Sequence, residues 1–510
     1  MAGKLFTRRQ TLQTMGAGAL ALGGGIKPVF AQSDSGTLTA SILGNLAHAH
    51  PWQMSNHDLG AVKMLLYSNL IYTGPDGSLE PEVAVDLPTI TNDGLTYTFE
   101  LRDDVFFHSG AQLTADDVIY TWEQFLDSSM RRGVFSPFIK EVIKEGDFKV
   151  RFDLTQPWSG WLMYLTKYQA IVQKDTDIDS LWDGDHGAGS GPYTMTSFET
   201  DVAAEFEAFP DYFLGKRRQE KIRIIRIPEA ATQLANLQSG NVDIISTCPP
   251  QDFAPTLETP GFTGASIPSA GIFIFPFNRT VAPFDNLHLR KAVSHAIDRD
   301  FICNELYDGL VTPSALPAAP DEYWYDEELA KEADFDLDKA KWHLEQAGMP
   351  NGFSFEAMIP APSAYIEVSE AAVFMQAMMA EIGIDMQLRQ LEFSMLLSER
   401  NQMNHQAAPF ASMQPSIEDY LMSTWYMCQF TGADTKPCYP EYDEAISEAY
   451  RYLDPEERRP HLVRATKHLI DNAISVYIGR LNTYHLWRDN VEGFEPSYMY
   501  SMDFRNAYKA

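Results

Sequence analysis

The sequence predicts an α/β protein built in at least two lobes. Its 510 residues exceed what a single hydrophobic core ordinarily holds together. A hydrophobic fraction of 45% with 12% aromatics is that of a folded chain, not a disordered one. Strand-like and helix-like stretches alternate through residues 336–388, as they do where helices cover a sheet.

Met1 to Ala31 stands apart. Thr7-Arg8-Arg9-Gln10-Thr11-Leu12 precedes a short, glycine-rich apolar run, and Val29-Phe30-Ala31 offers small residues for a signal peptidase. Paired arginines before a weakly apolar core, with Lys27 close to the cleavage point, read as a twin-arginine export signal over residues 1–31. The run falls short of the ~20 residues that a membrane span needs. With no cysteine at the cleavage point, the expected product is a soluble periplasmic protein without a lipid anchor. The signal carries four bases and no acid, so its removal takes the formal net charge from −31 to −35. Such a surface excludes nucleic acid and anionic membrane as partners.

Four cysteines remain: Cys248, Cys303, Cys428 and Cys438. An oxidising compartment permits disulfides. Cys428 and Cys438 flank a Gly-Ala-Asp-Thr-Lys-Pro turn and are the preferred pair. Neither CxxC nor HExxH occurs, so a structural zinc site or a zinc protease has no support, and no cofactor is expected.

In chain order, Leu38, Ala40 and Ile42 alternate as an opening strand. His48, His50 and His57 share a loop with Trp52; no acid or cysteine completes a metal set. Met64 to Ile71 reads as an apolar helix closed by the Gly74-Pro75-Asp76-Gly77 turn. Leu95, Tyr97, Phe99 and Leu101 alternate with polar residues in a half-buried strand. Thr114 caps a helix whose first-turn Asp116 and Asp117 suit the positive end of its dipole. Trp158, Trp161 and Tyr164 read as core, and His108 as structural.

The stretch from Gly187 to Gly191 fails the phosphate-loop pattern, and Ser190 lacks the G-x-S-x-G frame of a nucleophile elbow. Its glycines instead let the backbone turn and approach a neighbour closely. Ile272 to Phe277 reads as a buried strand. Asp285 or Asn286 caps the helix carrying Leu289, Ala292, Val293 and Ala296. Asp336 starts another helix that Gly348 ends. The Met-rich helix over Ser369–Ile382 ends at Gly383, with its methionines as core filler. Pro440 and Pro455 open the last helices, and Val476–Arg480 with Tyr484–Trp487 return as strand.

Three ordered blocks resemble the extracytoplasmic solute-binding proteins of peptide-, opine- and nickel-type ABC importers, family 5. They are Glu80–Val118, Gly189-Ser190-Gly191-Pro192-Tyr193 running on to Asp243, and Pro283–Arg299; the likeness extends over nearly all of residues 37–500. The resemblance implies a two-lobed periplasmic binding protein fold (type II, cluster C-like) with a subdomain inserted in lobe I. It implies lobe I at 32–275 plus 480–510, the insert at 80–185, and lobe II at 276–479. The crossing strands near 275–278 and 478–481 would form the hinge.

The implied function is binding, not catalysis: capture of peptides or peptide-like solutes such as opines for a membrane permease with its ATPase subunits, by a monomer. Implied ligand contacts are Trp52, Tyr193, Asn278, Arg279, Met413, Gln414 and Trp425. Peptide-binding relatives often place Gly-Trp and then an Asp for the peptide amine where this chain has Ser412-Met413-Gln414. A plain dipeptide would therefore lose its best amine partner. Two alternatives remain: a nickel or metal-chelate binder of the same fold using His48, His50 and His57, and a secreted hydrolase, for which no local nucleophile–base–acid set can be assembled.

Overall fold

A computed structural model describes all residues except 1–35, 53–58, 75–77, 129–134, 137, 169, 183–186, 308, 310, 361, 414–417, 419–420, 429–435, 453 and 497–501. The expected export signal, His57 and Gln414 thus lie outside the described residues.

The chain opens with β1 (Thr37–Ile42), in which Leu38, Ala40 and Ile42 are fully buried. Thr39 and Ser41 are buried too, because β1 lies between two parallel neighbours and both its faces are covered. The apolar helix comes earlier than Met64–Ile71. It is α1 (Leu59–Leu66), and Ile71 already belongs to β2 (Ile71–Thr73), which pairs with β3 (Leu79–Pro81).

The reason for the early stop is the glycine turn. Gly191 N donates to Leu66 O at 2.9 Å, and Ser68 Oγ donates to Ser190 O at 3.0 Å. A Cβ at Gly189 would sit 2.1 Å from Leu66 O, and one at Gly191 2.4 Å from the Leu66 carbonyl carbon. Only glycine permits that approach.

The next unit is a four-stranded antiparallel sheet, ordered β4-β5-β7-β6, from β4 (Thr89–Thr91), β5 (Thr96–Glu100), β6 (Ile139–Gly146) and β7 (Lys149–Leu154). Helix α2 (Ala115–Ser128) packs on it, and α3 (Trp161–Tyr168) follows. At the start of α2 the cap runs in reverse of the expectation: the Asp117 carboxylate accepts from Thr114 N (2.8 Å) and Thr114 Oγ1 (3.0 Å). The core here is aromatic. Tyr97 meets Trp161 edge-on at 4.9 Å, and Trp122 meets Phe152 at 5.2 Å. Such pairs add about 0.5–1.5 kcal/mol each beyond their buried area. Trp158, Trp161 and Tyr164 are fully buried within it.

The main sheet then assembles from β8 (Tyr193–Glu199), β9 (Ala203–Ala208), β10 (Lys221–Arg226), β11 (Ile244–Ile245) and β12 (Phe262–Pro276). Helix α4 (Ala230–Ser239) precedes β11 and stops at Gly240, whose φ of 80° is the left-handed C-cap conformation.

A second group of elements follows: α5 (Leu287–Ala296), β13 (Val311–Pro313), α6 (Leu337–Gln346), β14 (Ser354–Pro360), α7 (Pro362–Ala380), β15 (Asp385–Leu391), α8 (Phe393–Asn401), β16 (Phe410–Met413), α9 (Pro440–Ala449) and α10 (Pro455–Asp471). Asn286, not Asp285, caps α5 by accepting from His288 N. β14 and β15 pair in parallel through the α7 crossover. The Met-rich helix begins seven residues before Ser369, at Pro362. Met375 and Met379 are fully buried in a core shared with Phe275, Phe284, Leu289 and Val293, distinct from the core of the first group.

The two groups are joined by one ribbon. β17 (Ser475–Arg488) pairs antiparallel with β12 from Phe262↔Arg488 to Pro276↔Ser475, with register shifts at Pro268/Gly271 and Phe273/Ile274. At one end β17 pairs with β11 at Trp487 and Leu486. At the other, β13 pairs with residues 479–481 and β16 with Gly271–Ile274. The sheet order is β16-β12-β17-β11-β1-β10-β9-β8, with β13 also on β17. Both strands of the ribbon thus run through the two groups. The groups also touch elsewhere: Ser159 N donates to Tyr450 O at 3.1 Å, and Tyr442, Ile446 and Leu462 of α9 and α10 join the first core.

The tail returns to the first group. β18 (Val491–Glu492) pairs with β21 (Tyr508–Lys509), and β19 (Glu495–Pro496) with β20 (Met502–Asp503). Arg505 reaches Glu82 at 3.0 Å and Asp503 at 2.7 Å, while Lys509 Nζ lies 3.1 Å from Asp243. Among the described residues no helix is long and apolar enough to cross a membrane.

Candidate functional site

The ribbon's far end carries the first two sequence candidates. Asn278 donates from Nδ2 to Met403 O (3.1 Å) and His405 O (2.9 Å), and its Oδ1 accepts from Thr280 N and Oγ1. It clamps the turn between α8 and β16, where Met403 takes a φ of 61°. Arg279 donates from Nη1 to Ile474 O at 3.1 Å and lies over the Tyr439 ring at 5.9 Å. Burial lowers its pKa, and Tyr439 opposes the shift.

In the first group, Trp52 is fully buried and gives its Nε1–H to Ala170 O at 2.9 Å. Tyr193 is also fully buried and donates its hydroxyl to Gln219 O at 3.1 Å. All four side chains thus direct polar atoms at backbone carbonyls of the fold.

Trp425 stands differently. It is half-buried and stacks on Phe410 with centroids 5.4 Å apart and planes 24° from parallel. The Arg400 guanidinium lies 4.7 Å from the Phe410 centroid and 4.9 Å from that of Trp425. Each element contributes for a local reason. β16 holds Phe410 by pairing with β12, α8 carries Arg400 in its last turn, and Trp425 follows a single turn of helix at Met422–Thr424. Burial lowers the Arg400 pKa to about 10, so it remains a cation at neutral pH.

His405 is buried beside it, and neither ring nitrogen has a partner among the described residues. Burial, then the Arg400 charge, lowers its pKa to about 4. Tyr477 donates its hydroxyl to Tyr426 at 3.1 Å, tying this loop to β17. Backbone pairing of Met413 with Gly271 brings the strand to the edge of the described segment, immediately before Gln414.

A guanidinium against two aromatic faces in a little-exposed setting recognises carboxylates and planar groups. Nearby, Glu418 is paired with Arg458 at 3.0 Å. Sequence reasoning missed Arg400 and Phe410. Ser-Glu-Arg-Asn at a helix end reads as solvent-facing, yet Arg400 is buried against the rings of Phe410 and Trp425.

The other motifs resolve into structural contacts. His108 Nε2 contacts Gly191 O at 3.0 Å, and Ser190 is wholly buried beneath the same turn. His48 and His50 meet Trp182 edge-on at 4.8 and 4.9 Å. Burial first, then His48, lowers the His50 pKa to about 4. Cys428 and Cys438 are joined in a disulfide beside Asp443, whose carboxylate accepts from Cys428 N at 3.1 Å; Cys248 and Cys303 are buried free thiols.

The family profile for bacterial extracellular solute-binding proteins, family 5 (middle region), matches residues 78–435. The chain is 28% identical over 309 residues to heme-binding protein A of Haemophilus influenzae, covering 55% of this chain and just over half, 56%, of that protein. It is 24% identical over 477 residues to the dipeptide-binding protein of Pseudomonas aeruginosa, covering 86% and 88% of the two chains.

Among solved structures, it superposes on a dipeptide-binding protein from Pseudoalteromonas sp. SM9913 in complex with Met-Leu with a TM-score of 0.81, at 21% identity over 93% of this chain and 100% of that one. The binding protein AgaA in complex with agropinic acid gives a TM-score of 0.80, at 22% identity over 93% and 99%. These likenesses show the fold: two lobes of mixed α/β structure, of the periplasmic binding protein type.

Proposed function

The chain belongs to the bacterial extracellular solute-binding proteins, family 5, and from that premise we propose that it captures peptides or peptide-like solutes between its two lobes for an ABC importer. The observation that carries the reading is the Arg400–Phe410–Trp425 cluster, a buried cation with aromatic faces. It adjoins β16, whose strand runs on toward Gln414. Arg400 pairs with a ligand carboxylate, and Trp425 covers an apolar or planar part of the solute. By resemblance Met413 and Gln414 are further ligand candidates, at the point in the chain where peptide-binding relatives often carry an acid. The ligand is therefore a solute whose amine is substituted, distant or absent, as in opines, rather than a plain dipeptide.

Closure of the lobes turns on the two ribbon strands, since a few backbone dihedrals there absorb the rotation. Solute favours the closed form by its differential affinity for it. The Arg8-Arg9 leader directs export by the twin-arginine route, and the mature monomer docks on a membrane permease served by ATPase subunits. Residues 32–275 with 480–510 form lobe I, with the 80–185 insert, and 276–479 form lobe II.

A thermal-shift screen against peptides, opines, sugars and metal chelates tests the reading. A ligand present at 100 times its Kd stabilises the folded form by about 2.7 kcal/mol. Shifts confined to sugars or metal chelates would overturn the solute class.

A further inference from the structure

Helix α6 packs along α5, and three histidines meet between them. His288 Nδ1 and His343 Nδ1 face each other at 2.9 Å. His295 stacks on His343 with centroids 5.6 Å apart and planes 6° from parallel. Its Nδ1–H donates to Asp334 O at 2.7 Å, which fixes that ring's tautomer and orientation. Trp342, about half exposed, lies edge-on to His288 at 5.9 Å and to His343 at 4.8 Å. None of these residues takes part in the Arg400–Trp425 cluster.

Without a metal, the close approach is one hydrogen bond: one Nδ1 carries the proton and the other accepts it. The same spacing suits a shared cation. Two nitrogens 2.9 Å apart, each at a metal–imidazole distance of about 2.0–2.1 Å, subtend roughly 90° at the metal. That is the cis angle of square-planar and octahedral coordination, whereas a tetrahedral ion such as zinc prefers a spacing of about 3.3 Å. We propose that the His288–His343 pair is a bis-imidazole site for a divalent cation of square-planar or tetragonal preference, Cu(II) foremost, separate from the solute site.

On binding, the imidazole that held the shared proton at Nδ1 carries it at Nε2 instead, and both Nδ1 lone pairs go to the metal. Water fills the remaining positions. Lys291 and Lys339 lie close enough to His343 to act on its charge, and they oppose a dication. Cu(II) heads the divalent series for imidazole donors and tolerates such surroundings best.

The test is a titration of the full chain with CuCl₂ at neutral pH, read by tryptophan fluorescence and by electron paramagnetic resonance. Wild type is expected to show quenching that is largely lost in Trp342→Phe, with nitrogen hyperfine structure from two imidazoles. His288→Gln, at a half-buried position where the fold is retained, is expected to weaken binding at least about tenfold, the lower bound found even for outer-shell partners of a metal ligand. His343→Gln, checked for an unchanged melting temperature, is expected to do the same. No micromolar Cu(II) binding by wild type, equal affinity in wild type and His288→Gln, or a spectrum without two imidazole nitrogens would each overturn the site.

Discussion

The Arg505→Ala variant probes how the C-terminal tail is held. The Arg505 side chain is 9% exposed and Glu82 is 1% exposed. The guanidinium donates to Glu82 at 3.0 Å and to Asp503 at 2.7 Å, and it lies 4.7 Å from the Tyr72 centroid. Burial opposes its charge, but Asp503 and Glu82 outweigh that and raise its pKa. Glu82 also accepts from Asn69 N at 2.7 Å, so its carboxylate cannot turn to solvent without breaking a second bond. Removing Arg505 leaves Glu82 only Asn69 N and the charge of Lys63, and breaking such a buried pair costs about 3–5 kcal/mol.

For a cooperative unit of about 250 residues, each kcal/mol lowers the melting temperature by about 2 °C, so a fall of about 6–10 °C is expected. Differential scanning calorimetry measures it, with Arg102→Ala as the control because its pair with Asp104 is solvent-exposed. Such exposed pairs contribute about 0–1 kcal/mol. Glu82→Gln combined with Arg505→Met removes both charges and is expected to lose less than the sum of the single variants. A fall under 2 °C for Arg505→Ala, or full additivity in the pair, would show that the network does not hold the tail.

Arg400→Gln and Trp425→Ala are each expected to raise the Kd for the solute found in the screen at least about tenfold, equivalent to 1.4 kcal/mol. Tyr193→Phe, which loses the bond to Gln219 O, should cost about 0.5–1.5 kcal/mol of stability and leave Kd unchanged; isothermal titration calorimetry with parallel melts separates the two effects. Burial lowers the pKa of His485 and of His405 to about 4, below the ordinary 6.5 that they regain on unfolding. The unfolded chain therefore binds more protons between pH 6.5 and 4, and stability falls with pH across that window by up to about 1.4 kcal/mol per unit for each histidine. His485→Gln should flatten the melting temperature between pH 6.5 and 5 relative to wild type, and parallel curves would count against the buried neutral ring. Reducing Cys428–Cys438, ten residues apart in sequence, is expected to lower stability by about 2–3 kcal/mol, read as a drop in urea midpoint that the double Cys→Ser variant reproduces without reductant.

Much of the scaffold was legible because it is written in local periodicity and in glycine. The alternation at Leu95–Leu101 appears as β5 and its flanks. The Gly189–Gly191 turn failed every catalytic pattern and serves as a close backbone approach to Leu66. Helix α1 was misplaced because its end is set by that approach, a contact between segments more than a hundred residues apart.

By itself, then, the sequence determined an α/β chain long enough for two lobes, and the resemblance of its three ordered blocks implied the solute-binding fold. Which candidate side chains are engaged by the fold itself was decided only by tertiary structure. Trp52, Tyr193, Asn278 and Arg279 carry the right chemistry, yet their hydrogen-bonding groups meet buried backbone carbonyls that need partners. Arg400, in an unremarkable helix end, meets the stacked Phe410 and Trp425 rings only in the folded chain. Spacing along the chain reports which groups exist, but burial decides which of them are already satisfied.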